Sequence, residues 1–197
     1  MQERSIMDKL LNISLVLGVI ALTLGATWLM DGHNGTPEPD IVSSRNAYTP
    51  DYTLAPDAIL TDLSGSEVKL HDYSGKVILL NFWASWCAPC IVEFQQFINL
   101  ANMMPDDIVI LAVSVDDERR DIDKFIAKRI PDHKSVPNLK LFHDRDKSVS
   151  LDLFQTAKVP ETIIITPQMM MARKIAGLSI EWDNEDTRRY LSGLKAD

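Results

Sequence analysis

Cys87 and Cys90 are the two cysteines of a 197-residue chain, and they stand two residues apart in the run Asn81-Phe82-Trp83-Ala84-Ser85-Trp86-Cys87-Ala88-Pro89-Cys90. A dithiol at this spacing suits thiol–disulfide exchange. At the start of a helix, unpaired backbone N–H groups and the helix dipole stabilise a thiolate on the first cysteine. The thiolate is the attacking species. Cys87 is therefore expected as the exposed nucleophile, and Cys90 as the shielded thiol that resolves a mixed disulfide. Pro89 falls in the first helical turn, where a missing N–H costs little.

Other uses of the pair fit less well. A structural staple gains little from so small a loop, and disulfide scaffolds use several bridges. Structural zinc takes four ligands, but there is no second CxxC and His33, His71, His133 and His143 are scattered. A Cu(I) carrier is the best non-redox alternative, because soft thiolates suit that ion. Met169-Met170-Met171 could add soft ligands, although a methionine run at a strand start more often fills a core or turn.

The elements around the pair follow from hydrophobic pattern. Val77–Ala84 is a dense apolar run that reads as a buried central strand. From Pro89 to Met104, Ile91, Phe94, Phe97, Ile98 and Ala101 recur at helical spacing. Ala58–Thr61 and Val68–Leu70 read as short strands around a Ser64-Gly65 turn. Further along, Ile108–Val115, Leu139–Phe142, Glu161–Thr166 and Met170–Ile175 read as strands. Helices are expected from Glu118 to about Arg129, over Ser148–Phe154 and over Asn184–Leu194. Alternating strands and helices give an α/β class, and the late strand pair makes its sheet mixed.

Composition bounds the rest. The formal net charge is -8 and no dense Lys/Arg run appears, which argues against a nucleic-acid binder. Leu10 to Met30 carries no charged residue and is long enough to cross a hydrocarbon core. It reads as an uncleaved transmembrane anchor helix rather than a signal peptide, whose apolar region is shorter. Arg4 and Lys9 precede it, while the segment after it has acids and no Lys or Arg. By the positive-inside rule the N-terminus is cytoplasmic and the remainder lies outside. The expected organisation is a cytoplasmic N-terminus (1–9), a span (10–30), a Gly/Pro-containing linker (31–54) and one domain (55–197). A monomer is the default.

From about Ala55 to Gly177 the chain resembles the thioredoxin superfamily, and within it the TlpA/ResA/DsbE-like group of membrane-anchored extracytoplasmic thioredoxins. The residues that carry this are Ala55-Pro56-Asp57, Gly65, Leu70, Gly75-Lys76, Asn81 through Cys90, Val113-Ser114-Val115-Asp116 and Val159-Pro160-Glu161-Thr162. The resemblance implies a thioredoxin-like fold and a cis Pro160 beside the cysteines. It also implies a Val159 backbone edge that pairs with a substrate strand, and a Trp86 that covers the pair and contacts substrate. No cofactor beyond the Cys87–Cys90 disulfide is implied.

Where ordinary thioredoxins carry a buried acid, this chain has Asn81, which cannot titrate. Glu161 is then the preferred acid–base candidate, since a buried carboxyl has a raised pKa suited to proton exchange. Glu93, one turn after Cys90, matches an acidic position of the group but is expected to be solvated. Asp116 is a further candidate, or alternatively a helix cap. The implied activity is an extracytoplasmic disulfide reductase acting on apocytochrome c or a copper-site assembly protein. A membrane thiol-transfer protein would be its electron donor, and the domain would sit on the periplasmic face of the inner membrane. A Cu(I) metallochaperone, a general disulfide oxidase and a thiol peroxidase are the alternatives; the last lacks its Thr-x-x-Cys.

Overall fold

The structure, a computed structural model, describes residues 53–195. The expected cytoplasmic segment, membrane span and linker up to residue 52 lie outside the described residues. A six-stranded sheet has the order β1-β8-β7-β4-β5-β6. Its strands are β1 (Thr53–Leu54), β4 (Val77–Trp83), β5 (Ile108–Ser114), β6 (Leu139–His143), β7 (Glu161–Ile165) and β8 (Met170–Ala176). β4, β5 and β6 run parallel, while β7, β8 and β1 add antiparallel. β4 and β5 are buried at every residue, as strands covered on both faces must be. β2 (Ile59–Thr61) and β3 (Glu67–Lys69) form a separate hairpin. Its turn holds Gly65 at φ +91°, a conformation that favours glycine.

The helices are α1 (Ala88–Met103), α2 (Arg119–Arg129) and α3 (Glu185–Gly193). All three send apolar side chains into one cluster, with Val77, Leu79 and Trp83 of β4. Ile78, Leu80 and Phe82 point to the opposite face, onto Leu60, Leu70, Val149 and Phe154. This alternation fixes which side chains of β4 and β7 can reach α1. Trp83 locks the helix face, with its ring centroid 4.7 Å from Phe94 and 4.6 Å from Phe125.

Three local expectations need correction. Thr53–Leu54, placed in the linker, is a strand paired with Met170 and Met171; two residues are too few to show a period. Asp116 does not cap α2, whose N-cap is Glu118, because its carboxylate is committed elsewhere. The helix over Ser148–Phe154 is a single π-helical turn, Ser148–Leu153. The Asp144 carboxylate accepts the Val149 and Ser150 N–H groups at its start (3.1 and 2.7 Å).

The last turn of α1 leaves carbonyls without intrahelical partners. Buried Asn138 meets them, its Nδ2 donating to Ala101 O (3.1 Å), Met104 O (3.3 Å) and Ile108 O of β5 (3.3 Å). Asn138→Ala strands these acceptors away from water. It is expected to lower the unfolding free energy in urea by about 1–3 kcal/mol; a loss under half a kcal/mol would mean that the amide contributes little.

Candidate active site

β4 delivers the chain to the cysteines, and a short loop turns it into α1. Val115 N–H donates to Trp83 O at 2.8 Å, tying the end of β4 to β5. Asp116, buried just after β5, then anchors the loop. Its carboxylate accepts Ser85 N–H (2.8 Å), Ser85 Oγ (2.7 Å) and Ser114 Oγ (2.7 Å). His143 Nε2 donates to the Asp116 carbonyl oxygen at 2.8 Å. Asp116 is thus a structural anchor for Ser85, two residues before Cys87.

Cys87 is the N-cap of α1 and is disulfide-bonded to Cys90. Cys90 N–H donates to Cys87 Sγ at 3.3 Å. The helix N-terminus therefore presents a donor to the Cys87 sulfur. In this oxidised state Cys87 is 4 % exposed and Cys90 is fully buried. Both cysteines are therefore buried, and Cys87, expected to be exposed, is closed off with its sulfur bonded to Cys90. Trp86 is 72 % exposed and so stands beside the pair as a free apolar surface.

The Val159–Pro160 peptide is cis. Gly177 N–H donates to Pro160 O at 2.8 Å, and β7 starts at the next residue. Val159 packs against the cluster that contains both cysteines. It also lines, with Trp86, Val115, Leu151, Ala157 and Lys158, an open groove of about 490 Å³. Trp86 and Val159, expected to bind substrate, thus share one groove.

The acidic residues fall differently from expectation. Glu161 is half-buried on the sheet face away from α1, as alternation with Thr162 requires. It accepts a hydrogen bond from Thr156 Oγ1 and lies 3.1 Å from Lys174 Nζ. Glu93, expected to be solvated, is 2 % exposed. It sits at i+3 from Cys90, where side chains are neighbours on one helix face. Asn81 Nδ2 donates to Glu93 Oε2 (2.9 Å), and Trp182 Nε1 donates to Oε1 (2.8 Å). Thr162 Oγ1 lies 3.5 Å from Oε1 and accepts from Asn81 Nδ2 at 3.0 Å. Burial raises the Glu93 pKa to about 7, against the opposing pull of the Trp182, Asn81 and Thr162 hydrogen bonds. Trp182 and Thr162 were not legible as site residues, because nothing local in the sequence links them to the cysteines.

Among the described residues no group of three or more His, Cys, Asp and Glu side chains could hold a metal ion. Both sulfurs are committed to each other, so the redox group here is the disulfide itself.

A helix-opening cysteine pair and a cis-proline at the start of β7, on a mixed sheet, place the chain in the thioredoxin-fold class of exchange proteins. Residues 53–174 match the AhpC/TSA family. The chain is 33% identical over 144 residues to the thiol-disulfide oxidoreductase ResA of Geobacillus kaustophilus, covering 73% of this chain and 77% of the relative. The ResA of Bacillus subtilis is 30% identical over 129 residues, covering 64% and 68%. A solved structure from Chlorobium tepidum, described as a DsbE-type thiol:disulfide interchange protein, superposes with a TM-score of 0.61 at 26% identity. It covers 73% of this chain and 97% of that one. The chain belongs to the AhpC/TSA family and, within it, to the ResA/DsbE/TlpA-like thiol–disulfide oxidoreductases.

The buried acid makes stability depend on pH. Folded Glu93 holds its proton more tightly than the unfolded chain does. The folded state therefore loses stability as pH rises from about 4.5, where the unfolded carboxyl ionises, to about 7, and its contribution is constant outside that window. Gln at this position fits, because Asn81 Oδ1 is buried without a partner and a reversed Asn81 amide would accept from it. The stability of Glu93→Gln relative to wild type is expected to rise by about 3 kcal/mol across that window in urea unfolding. A pH-independent difference would contradict a raised Glu93 pKa.

Proposed function

We propose that the protein is a membrane-anchored, extracytoplasmic disulfide reductase acting on specific protein partners. Cys87 would attack the partner disulfide, and one partner sulfur would leave as a thiolate. Cys90 would pass its proton to Glu93 and attack Cys87 Sγ, which restores the Cys87–Cys90 disulfide and releases the second partner thiolate. Two electrons move from the dithiol to the partner. Glu93 replaces Glu161 as the proposed proton acceptor, since Glu161 points to the other face of the sheet and is paired with Lys174. The substrate strand would lie along Val159 and Pro160 with Trp86 against it.

The observation that carries the direction is the burial of Glu93 on the Cys90 face of α1. An ionised carboxylate there opposes a second negative charge on a neighbouring sulfur. It disfavours the thiolate, and so makes the reduced pair the better electron donor. Anchoring through Leu10–Met30 with the domain outside the cytoplasm rests on the flanking charges, with residues 1–9 cytoplasmic, 31–54 a tether and 55–197 the functional domain. Suitable partners are apocytochrome c cysteines awaiting haem, or a copper-site assembly protein, with a membrane thiol protein as donor. The proposed state is monomeric.

Equilibrating the full-length protein with a defined thiol buffer tests the direction. A reductase is expected near thioredoxin, at roughly -270 mV, and a value near roughly -120 mV would make the protein an oxidant instead. Reduced Cys90→Ser should also accumulate a mixed disulfide with an oxidised C-x-x-C-H peptide. The same adduct forming equally on Cys87→Ser would overturn the assignment of the nucleophile.

A further inference from the structure

We propose that Trp182 is a positioning residue for the proton acceptor, its indole N–H fixing which oxygen of Glu93 receives the Cys90 proton. This rests on the role given above to Glu93. Trp182 lies in the segment ahead of α3, beyond residues 53–174 that match the family. The family match therefore does not account for it.

The indole is held by α1 itself. Trp182 is 1 % exposed, and its ring centroid is 5.2 Å from that of Phe97. Its backbone N–H donates to Gln96 Oε1 at 3.3 Å. The next residue, Asp183, accepts from Asn99 Nδ2 at 2.7 Å. Glu93, Gln96 and Asn99 form an i, i+3, i+6 row, so the indole is fixed to the same helix that carries Cys90. Beyond Trp182 the chain is fastened by Thr187 Oγ1, which donates to Glu181 O (2.7 Å), and by Asn184 Oδ1, which accepts Thr187 N–H (2.8 Å).

The three groups on the carboxylate are not equivalent. A hydroxyl donates or accepts, and an amide presents either end, whereas an indole only donates. Thr162 can turn, and Asn81 can reverse its amide, giving up the Nδ2 bonds to Glu93 and Thr162 and bringing Oδ1, buried without a partner as it stands, toward Oε2. Trp182 cannot adapt in this way. Its N–H stays on Oε1 in both protonation states, and because the carbonyl oxygen of a carboxylic acid is the better acceptor, this favours the proton on Oε2, beside Asn81. The Cys90 S–H bond breaks with its electron pair left on sulfur, and an O–H bond forms at Oε2. Reversal of Asn81 then gives that O–H an acceptor. Burial of a tryptophan does not by itself demand a carboxylate partner: Trp83 Nε1 is buried with none.

Among the described residues no charged side chain competes for Glu93. β4 contributes Asn81 and β7 Thr162, and α1 contributes, besides Glu93, the cysteines that titrate when reduced. Glu181 is exposed, Asp183 is held by Asn99, and Glu185 and Asp186 of α3 are exposed.

The test is the pH profile of Cys87 alkylation in the reduced full-length protein, for wild type, Glu93→Gln and Trp182→Phe. Phenylalanine keeps an aromatic ring against Phe97 and removes the donor, along with the smaller ring of the indole. Glu93→Gln should leave the inflection that belongs to Cys87 itself and remove the Glu93 inflection near neutrality. Trp182→Phe should keep that inflection but move its midpoint up by about one pH unit. An unmoved midpoint in Trp182→Phe, with the inflection lost in Glu93→Gln, overturns the role of Trp182 and leaves that of Glu93 standing. A Glu93→Gln profile unchanged from wild type removes both. Should Trp182→Phe fail to fold, the wild-type indole N–H resonances decide. One of the four must shift with pH near neutrality and lose that shift in Glu93→Gln; four pH-independent resonances overturn the proposal.

Discussion

A carboxylate buried under a cysteine pair is the constraint around which this domain is arranged. Removing an acid from water is costly unless donors meet it. Glu93 is met by Asn81 from β4, Thr162 from β7 and Trp182 from the segment before α3. Those partners come from well-separated parts of the chain, so the sheet order β7-β4 and the docking of the C-terminal segment are conditions for tolerating the charge. The site and the fold therefore depend on the same contacts.

Two fields act on the sulfurs in opposite directions. The N-terminus of α1, seen in the Cys90 N–H bond to Cys87 Sγ at 3.3 Å, favours a thiolate. The carboxylate one turn further along disfavours it once ionised. The donors around Glu93 set how much of its raised pKa survives. Asp116 keeps this balance local by holding Ser85 with two hydrogen bonds, so the loop before Cys87 has a fixed path.

Much of this was legible from the chain alone. The cysteine pair at a helix start, the two buried parallel strands and Pro160 before β7 all follow from local pattern. The position of Glu93 was legible too, yet misread. The buried face of α1 is Cys90, Glu93, Phe94, Phe97, Leu100 and Ala101, and Glu93 falls within that stripe. Its charge argued for solvent, and of the compensating donors Asn81 lies 12 residues away in sequence while Thr162 and Trp182 lie 69 and 89 away. Such partners have no local signature. Glu161 failed in the converse way: it adjoins Pro160 in sequence, but strand alternation turns it from the cysteines. Asp116 looked like a helix cap because acids favour helix starts, whereas its carboxylate faces back to Ser85 and Ser114.

Infrared titration of the carboxyl band in the oxidised full-length protein, compared with Glu93→Gln, addresses the buried acid most directly. The account predicts one carboxyl that stays protonated until about pH 7 and is missing from the variant. If every carboxyl in the wild type ionises near the ordinary value of 4.5, Glu93 is not the buried proton acceptor described here.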